Sequence, residues 1–492
     1  MSDERADNRE ANKPVTNRCP LSQREQRRNI ILYAIGFGMN YLAAPVLYVG
    51  TTQAALCDRL GANARTANLP GSLYFAMTAM PVLLAWLSPK VVHLRRNLSL
   101  CFAITGVMLV TVAVSLALDL SNDVKIGMVI AQAVVSGAVM TSTFGLLWEA
   151  LARGTEESFR GKALGLAFGV GPMLAVLGSF LQTYLLGGDL FGWKFEGVGY
   201  PTGFVILFGI CGPIMLVSSV SSLFFIVPPV EREAEREPVS SVSGLLIGLP
   251  TMCLSIALLQ LSEAGYGASL SPLGYSVGLV SAGAFIHHYR ELLSQRVLLA
   301  ATLVTILIYC GNVIPSNMNL YAREALGDDP TKFAGVQNML RFGFKVVAGL
   351  TLGWLLTKTN PKTGILATGG IFLLGQIWAM CATGPWYLLA SGLHGAGELI
   401  GVYAPNYIVS ASSKNDLRRN MAFVTMLMVP AAPAGYLYGA IVDLVKSRNW
   451  TLWEMNSATL GFRLSFGTCA TFILAGIVLA VVALPRRPRP QE

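Results

Sequence analysis

Fourteen apolar stretches of about 20 residues, parted by short polar loops, constrain this chain more than any other feature. A helix rises ~1.5 Å per residue, so each stretch is long enough to cross the ~30 Å hydrocarbon core of a bilayer. They lie at 30–49, 69–89, 98–118, 126–148, 163–186 and 204–227. Two weaker ones, 244–261 and 272–289, follow the charged stretch 228–238. Six more run at 297–318, 333–356, 364–382, 386–409, 421–444 and 464–484. Composition agrees: 53% of the 492 residues are hydrophobic and 13% are charged, against ~25% charged in a soluble domain. So little polar surface cannot cover a soluble globule. A cytosolic enzyme, a disordered chain and a disulfide-stapled secreted domain are excluded.

The basic residues set the orientation. With the N-terminus inside, inner segments hold 25 of the 36 Lys and Arg, outer segments hold 9, and Arg341 and Lys345 fall within a span. This bias is the positive-inside rule, and miscounting by one span would scramble it. The reading is a multi-pass protein of the plasma (inner) membrane with both termini cytoplasmic. Twelve spans plus a membrane-surface pair would give the same sides. The net charge of +9 is spread over these loops, so no nucleic-acid partner is expected. The eight cysteines have no CxxC spacing and read as small buried hydrophobes, neither disulfides nor a metal site. The first 28 residues are polar and charged with no apolar core, so no removable signal peptide is expected.

The two outer blocks of six echo each other. Leu60-Gly61 follows the first span and Leu326-Gly327 the ninth; small residues open the fourth and twelfth, Ser136-Gly137-Ala138 and Gly395-Ala396-Gly397. The expected fold is an all-α membrane protein: two pseudo-symmetric six-helix bundles with two extra helices between them. The domains are a polar tail (1–28), an N-terminal bundle (29–228), a linker with two membrane helices (229–293), a C-terminal bundle (294–485) and a basic tail (486–492).

These features resemble the major facilitator superfamily over essentially the whole chain. The turn after the tenth span, Gly353-Trp-Leu-Leu-Thr357-Lys358-Thr-Asn360-Pro361-Lys362, is similar to the family's G-x-L-x-D-R-x-G-R-K loop, with Thr357 and Asn360 in place of its Asp and second Gly. Gly353, Lys358 and Lys362 would then belong to the latch that locks the two halves in the outward-facing state. The fifth span carries Gly165-x3-Gly169-Val-Gly171-Pro172-x5-Gly178, which resembles the Gly-Pro motif of the superfamily's antiporters. Small residues let helices approach, and Pro172 permits a bend. In the fourth span Gln132 stands where many proton-coupled members carry an Arg.

Four ionisable residues lie deep within spans, where a charge needs a partner or a wet cavity. Counted from the span entrances, Lys345 lies ~21 Å and Glu398 ~20 Å deep, while Arg341 lies ~15 Å and His394 ~14 Å deep. Lys345 is thereby level with Glu398, and Arg341 with His394; each helix presents its two from one face. Functionally, protonating Glu398 would free a cation to hold a substrate anion or hydroxyl. The other reading is a static buried ion pair. Sugar–proton symporters of the superfamily carry a similar His and Glu one residue closer together. Further polar or aromatic residues at depth, Asn40, Tyr41, Gln132, Asn312, Asn317, Gln337, Asn338, Tyr403 and Asn406, are candidates for the cavity wall, each equally able to serve as helix-to-helix glue.

The expected function is a secondary active transporter moving a small polar or weakly anionic solute by alternating access, with proton symport. It would act as a monomer in the lipid bilayer, without cofactor or metal. Drug–proton antiport and a transporter-like sensor without flux are the alternatives. No HExxH, DxD or phosphate-cradling Gly-Lys-Ser/Thr loop points to an enzyme or an ATP-driven pump.

Overall fold

A computed structural model describes residues 21–190, 192–228, 242–263, 267, 269–293, 295–411, 426 and 428–486. The N-terminal bundle is built from α1 (Gln23–Leu42), α2 (Ala44–Leu47), α3 (Thr51–Arg59), α4 (Ala64–Ala76), α5 (Met80–Leu87), α6 (Leu94–Ala117), α7 (Asn122–Gly154), α8 (Glu157–Leu186) and α9 (Thr202–Ser222). The hairpin α10 (Ser243–Glu263) and α11 (Leu270–Leu293) follows. The C-terminal bundle holds α12 (Arg296–Tyr309), α13 (Pro315–Leu320), α14 (Ala322–Leu326), α15 (Pro330–Lys358), α16 (Pro361–Cys381), α17 (Leu389–Gly397), α18 (Ile400–Ala411), α19 (Pro433–Ser447) and α20 (Ser457–Ala483). This is the two-bundle, all-α membrane layout. Among the described residues it carries a small antiparallel hairpin, β1 (Gly188–Leu190) with β2 (Trp193–Phe195), in register Asp189↔Lys194.

Nine helical stretches among the described residues are long and apolar enough to cross a bilayer. The count of fourteen goes beyond these nine and stands as a proposal. Polar caps start the helices where the loops end. Ser22 and Glu25 form a reciprocal capping box on α1, and Asn63, Ser121, Asn360 and Asn456 cap α4, α7, α16 and α20. Several apolar stretches are broken where proline removes a backbone N–H: before Pro45, before Pro81 and before Pro315. Pro172, by contrast, lies inside an unbroken α8.

Small residues set the helix spacings. A Cβ at Gly171 would strike the Tyr41 ring, and one at Gly178 the Leu42 carbonyl, so both glycines let α8 lie against α1. Between the bundles, a Cβ at Gly335 would strike the Thr183 side chain, which brings α15 onto α8. The α10–α11 hairpin is held by Ser255 donating to the Gly274 carbonyl at 2.7 Å and Ser281 to the Gly248 carbonyl at 2.6 Å.

Candidate functional site at the bundle interface

Four charged or titratable side chains converge where α15 packs on α17. A Cβ at Gly395 would collide with the backbone carbonyl of Arg341, so this glycine permits the contact. Glu398 follows the last residue of α17, in a stretch that tightens to i→i+3 bonds from Gly401 N–H to the Glu398 carbonyl and from Val402 N–H to the Leu399 carbonyl. Pro405 lies inside α18 and lacks the N–H that would bond the Gly401 carbonyl. At this corner Arg341 donates its Nε to Glu398 Oε1 at 2.8 Å, and its Nη2 bonds the same oxygen. The Lys345 ammonium pairs with Oε2, and His394 Nε2 lies 3.3 Å from Oε1.

The depth arithmetic sets Arg341 level with His394 rather than with Glu398. In the structure both cations of α15 reach Glu398. Their side chains leave the helix one turn apart, and their long flexible stems converge on one carboxylate. Burial is nearly complete, with side-chain exposures of 5% for Arg341 and 9% for Glu398. Arg341 Nη1 is buried with no hydrogen-bond partner. His394 packs against Phe372, ring centroids 5.1 Å apart and planes tilted by 39°.

The N-terminal bundle faces this cluster with aromatic rings. Tyr41 and Tyr48 stack at 5.9 Å between centroids and 14° between planes. Phe342 meets both edge-on, at 6.4 and 5.6 Å. The same Phe342 ring carries the two cations, Arg341 Cζ at 5.7 Å and Lys345 Nζ at 5.4 Å from its centroid.

The candidate amides behave differently from one another. Asn317 accepts from Asn68 at 2.6 Å and donates to Ser465 at 3.0 Å. Gln337 accepts from Asn319 and donates to the Met318 carbonyl. Asn338 donates across the bundle interface to Gln182 at 3.1 Å, and Gln132 donates to Ser136 on its own helix. These are helix-to-helix or intrahelix bonds. Both amide atoms of Asn40 and the Oδ1 of Asn312 are buried without a partner. Tyr403 packs among Ala348, Leu352 and Ala396, and Asn406 is exposed. In the loop motif, Gly353 and Lys358 are exposed, and a Cβ at Gly353 would meet nothing. Lys362 instead donates to the carbonyls of Val481 and Leu484, at 2.9 and 2.7 Å, capping the C-terminus of α20. Among the described residues no group of three or more His, Cys, Asp or Glu could hold a metal.

Sequence reasoning missed the seal at the end of the bundles away from the termini. Arg323 donates to both oxygens of Asp58, at 3.1 and 2.6 Å, and Arg59 pairs with Asp329 at 2.5 Å. These are crossed ion pairs between the two halves. Asp443 adds a third link: its carboxylate accepts the N–H groups of Ala64 and Arg65 at the start of α4, at 3.1 and 2.9 Å. Hydrogen bonding to Asp58 raises Arg323 above the usual guanidinium value, and Lys332 holds the nearby Asp328 carboxyl below the usual carboxylate range. The available signal was the repeat itself, since Asp58-Arg59 and Arg323-Glu324 both lead into a Leu-Gly turn.

Two helical bundles joined at one end by crossed ion pairs, with buried charges of both signs on the helices of the second, are the build of a polytopic transporter. The sequence profile of the Major Facilitator Superfamily matches residues 29–434, and the chain belongs to that superfamily. No curated protein matches it in sequence. Among solved structures, an auto-inhibited POT family peptide transporter shares the fold with a TM-score of 0.62 at 14% identity, covering 95% of this chain and 99% of its own. The POT family transporter PepTSo gives 0.61 at 14% identity, covering 94% and 98%. The nucleoside transporter NupG gives 0.55 at 11%, covering 92% and 98%. At these identities the likeness is one of fold.

Proposed function

We propose that this chain is a secondary active transporter that carries a small polar or weakly anionic organic solute by alternating access, coupled to proton symport through Glu398. The observation that carries the reading is the sharing of one buried carboxylate by two cations, with His394 alongside. With Glu398 ionised, Arg341 and Lys345 are both engaged and one positive charge is in excess. With Glu398 protonated, the carboxyl can no longer hold both, and a cation is released toward the space between the bundles. A solute anion arriving there replaces the lost carboxylate charge, so proton and solute favour each other's binding. A static pair, by contrast, would give binding indifferent to the Glu398 proton.

The rocking of the halves then requires the crossed ion pairs at the end away from the termini to break when that end opens. We place the termini in the cytoplasm from the Lys and Arg bias, which makes this the outer end. Efflux of lipophilic cations is the competing reading, and the excess positive charge works against it. The test is solute-driven proton movement in proteoliposomes, wild type beside Glu398→Gln. Coupling lost while solute binding survives supports the reading, whereas unchanged coupling returns the cluster to a structural role.

A further inference from the structure

The cluster is unusual in how its spare charge is presented. Arg341 uses Nε and Nη2 on Glu398 and leaves Nη1, with its two N–H donors, buried and unpartnered. A guanidinium binds an oxyanion through two parallel N–H groups, so a free Nη1 beside an occupied Nη2 is half of such a fork. Beyond Glu398, Lys345 and His394, the cluster is flanked by aromatic rings. Phe342 follows Arg341 in sequence and lies beneath both cations, and Tyr48, stacked on Tyr41, remains only part-buried at the same junction. An anion-binding group is therefore set over the Phe342 ring, which in turn meets Tyr41 and Tyr48 of the N-terminal bundle.

Resting on the reading of this junction as the solute site, we infer that the solute is an organic acid whose anionic group is borne on a flat, unsaturated ring. Arg341 holds the acid group, and the ring lies against Tyr48. A saturated ring of equal size satisfies the guanidinium but not the aromatic wall, because its axial hydrogens prevent close face-on stacking. A compact aliphatic acid leaves the wall unfilled. An aromatic cation meets Arg341 and Lys345 with the wrong sign.

The test uses the purified full chain in nanodiscs, with binding read by calorimetry. The probes are one- and two-ring aromatic monocarboxylates, their fully saturated counterparts, and aromatic amines of matching size. The aromatic acids are expected to bind about tenfold more tightly than the saturated ones, and the amines not at all. Tyr48→Leu should collapse the ring preference to about twofold, Tyr48→Phe should keep it, and Arg341→Lys should weaken every acid about tenfold or more. Equal affinity for saturated and aromatic acids overturns the inference while leaving anion symport in place. Tighter binding of the amines, or binding of none of the probes, overturns the inference outright. If the acids bind with the expected preference but drive no proton flux when the same acids are added to proteoliposomes, the solute class holds and the symport reading falls instead.

Discussion

Arg323→Gln tests whether the seal between the two halves acts as one unit. The wild-type guanidinium makes a two-pronged contact with Asp58, at side-chain exposures of 50% and 16%. Such a bidentate pair would be strong if buried, but half-exposure and salt screen it to about 1 kcal/mol. If that energy holds the end closed, removing it raises the open fraction about fivefold, since ~1.4 kcal/mol is a factor of ten. Hydrogen exchange in nanodiscs reads this at a distance. The N–H groups of Ala64 and Arg65 are bonded by Asp443, whereas Arg323 bonds Asp58. Their exchange should accelerate about fivefold, together with that of the segment around residues 322–327. Faster exchange confined to 322–327, with Ala64 and Arg65 unchanged, would refute a cooperative seal and reduce Arg323–Asp58 to a local contact.

Other substitutions probe the packing and the caps. Gly395→Ala drives a methyl into the Arg341 carbonyl and should cost about 1–3 kcal/mol, lowering Tm by several degrees in a fluorescence-monitored melt and weakening solute binding together. Lys362→Gln removes the cap on the Val481 and Leu484 carbonyls and should cost about 0.5–1 kcal/mol, seen as a small fall in Tm. Loss of flux at unchanged Tm would instead assign Lys362 to an inter-bundle latch. Asn338→Leu leaves Gln182 Oε1 without its donor at the bundle interface, a loss of about 1–3 kcal/mol, measurable by the same melt.

Much of the architecture was legible because a bilayer leaves the backbone few choices. Each expected span contains helix among the described residues, and the prolines mark the breaks before Pro45 and Pro315. The charged residues at depth were visible because Arg, Lys and Glu are rare there. Their partners were less so. Depth along a helix gives level, but the side chains of Arg341 and Lys345 span more than a turn, so level alone could not show that both reach Glu398. The amides were less legible still. Asn317 and Asn338 are spent on Asn68, Ser465 and Gln182, pairings set by helix rotation rather than by spacing in the sequence. The crossed ion pairs escaped because Asp58, Arg59, Arg323 and Asp329 lie between the expected spans, where charge is ordinary and only the closure of two halves gives it meaning. Residues 412–420, which hold the basic turn before the thirteenth expected span, lie outside the described residues.

The central claim is that Glu398 couples proton movement to solute movement. Proteoliposomes with a pH-sensitive dye inside, challenged with a panel of organic acids under an imposed pH gradient, measure that coupling for the wild type and Glu398→Gln side by side. The account predicts solute-driven proton entry with the wild type, and solute exchange without proton entry with the variant. Equal proton entry through both proteins would contradict it.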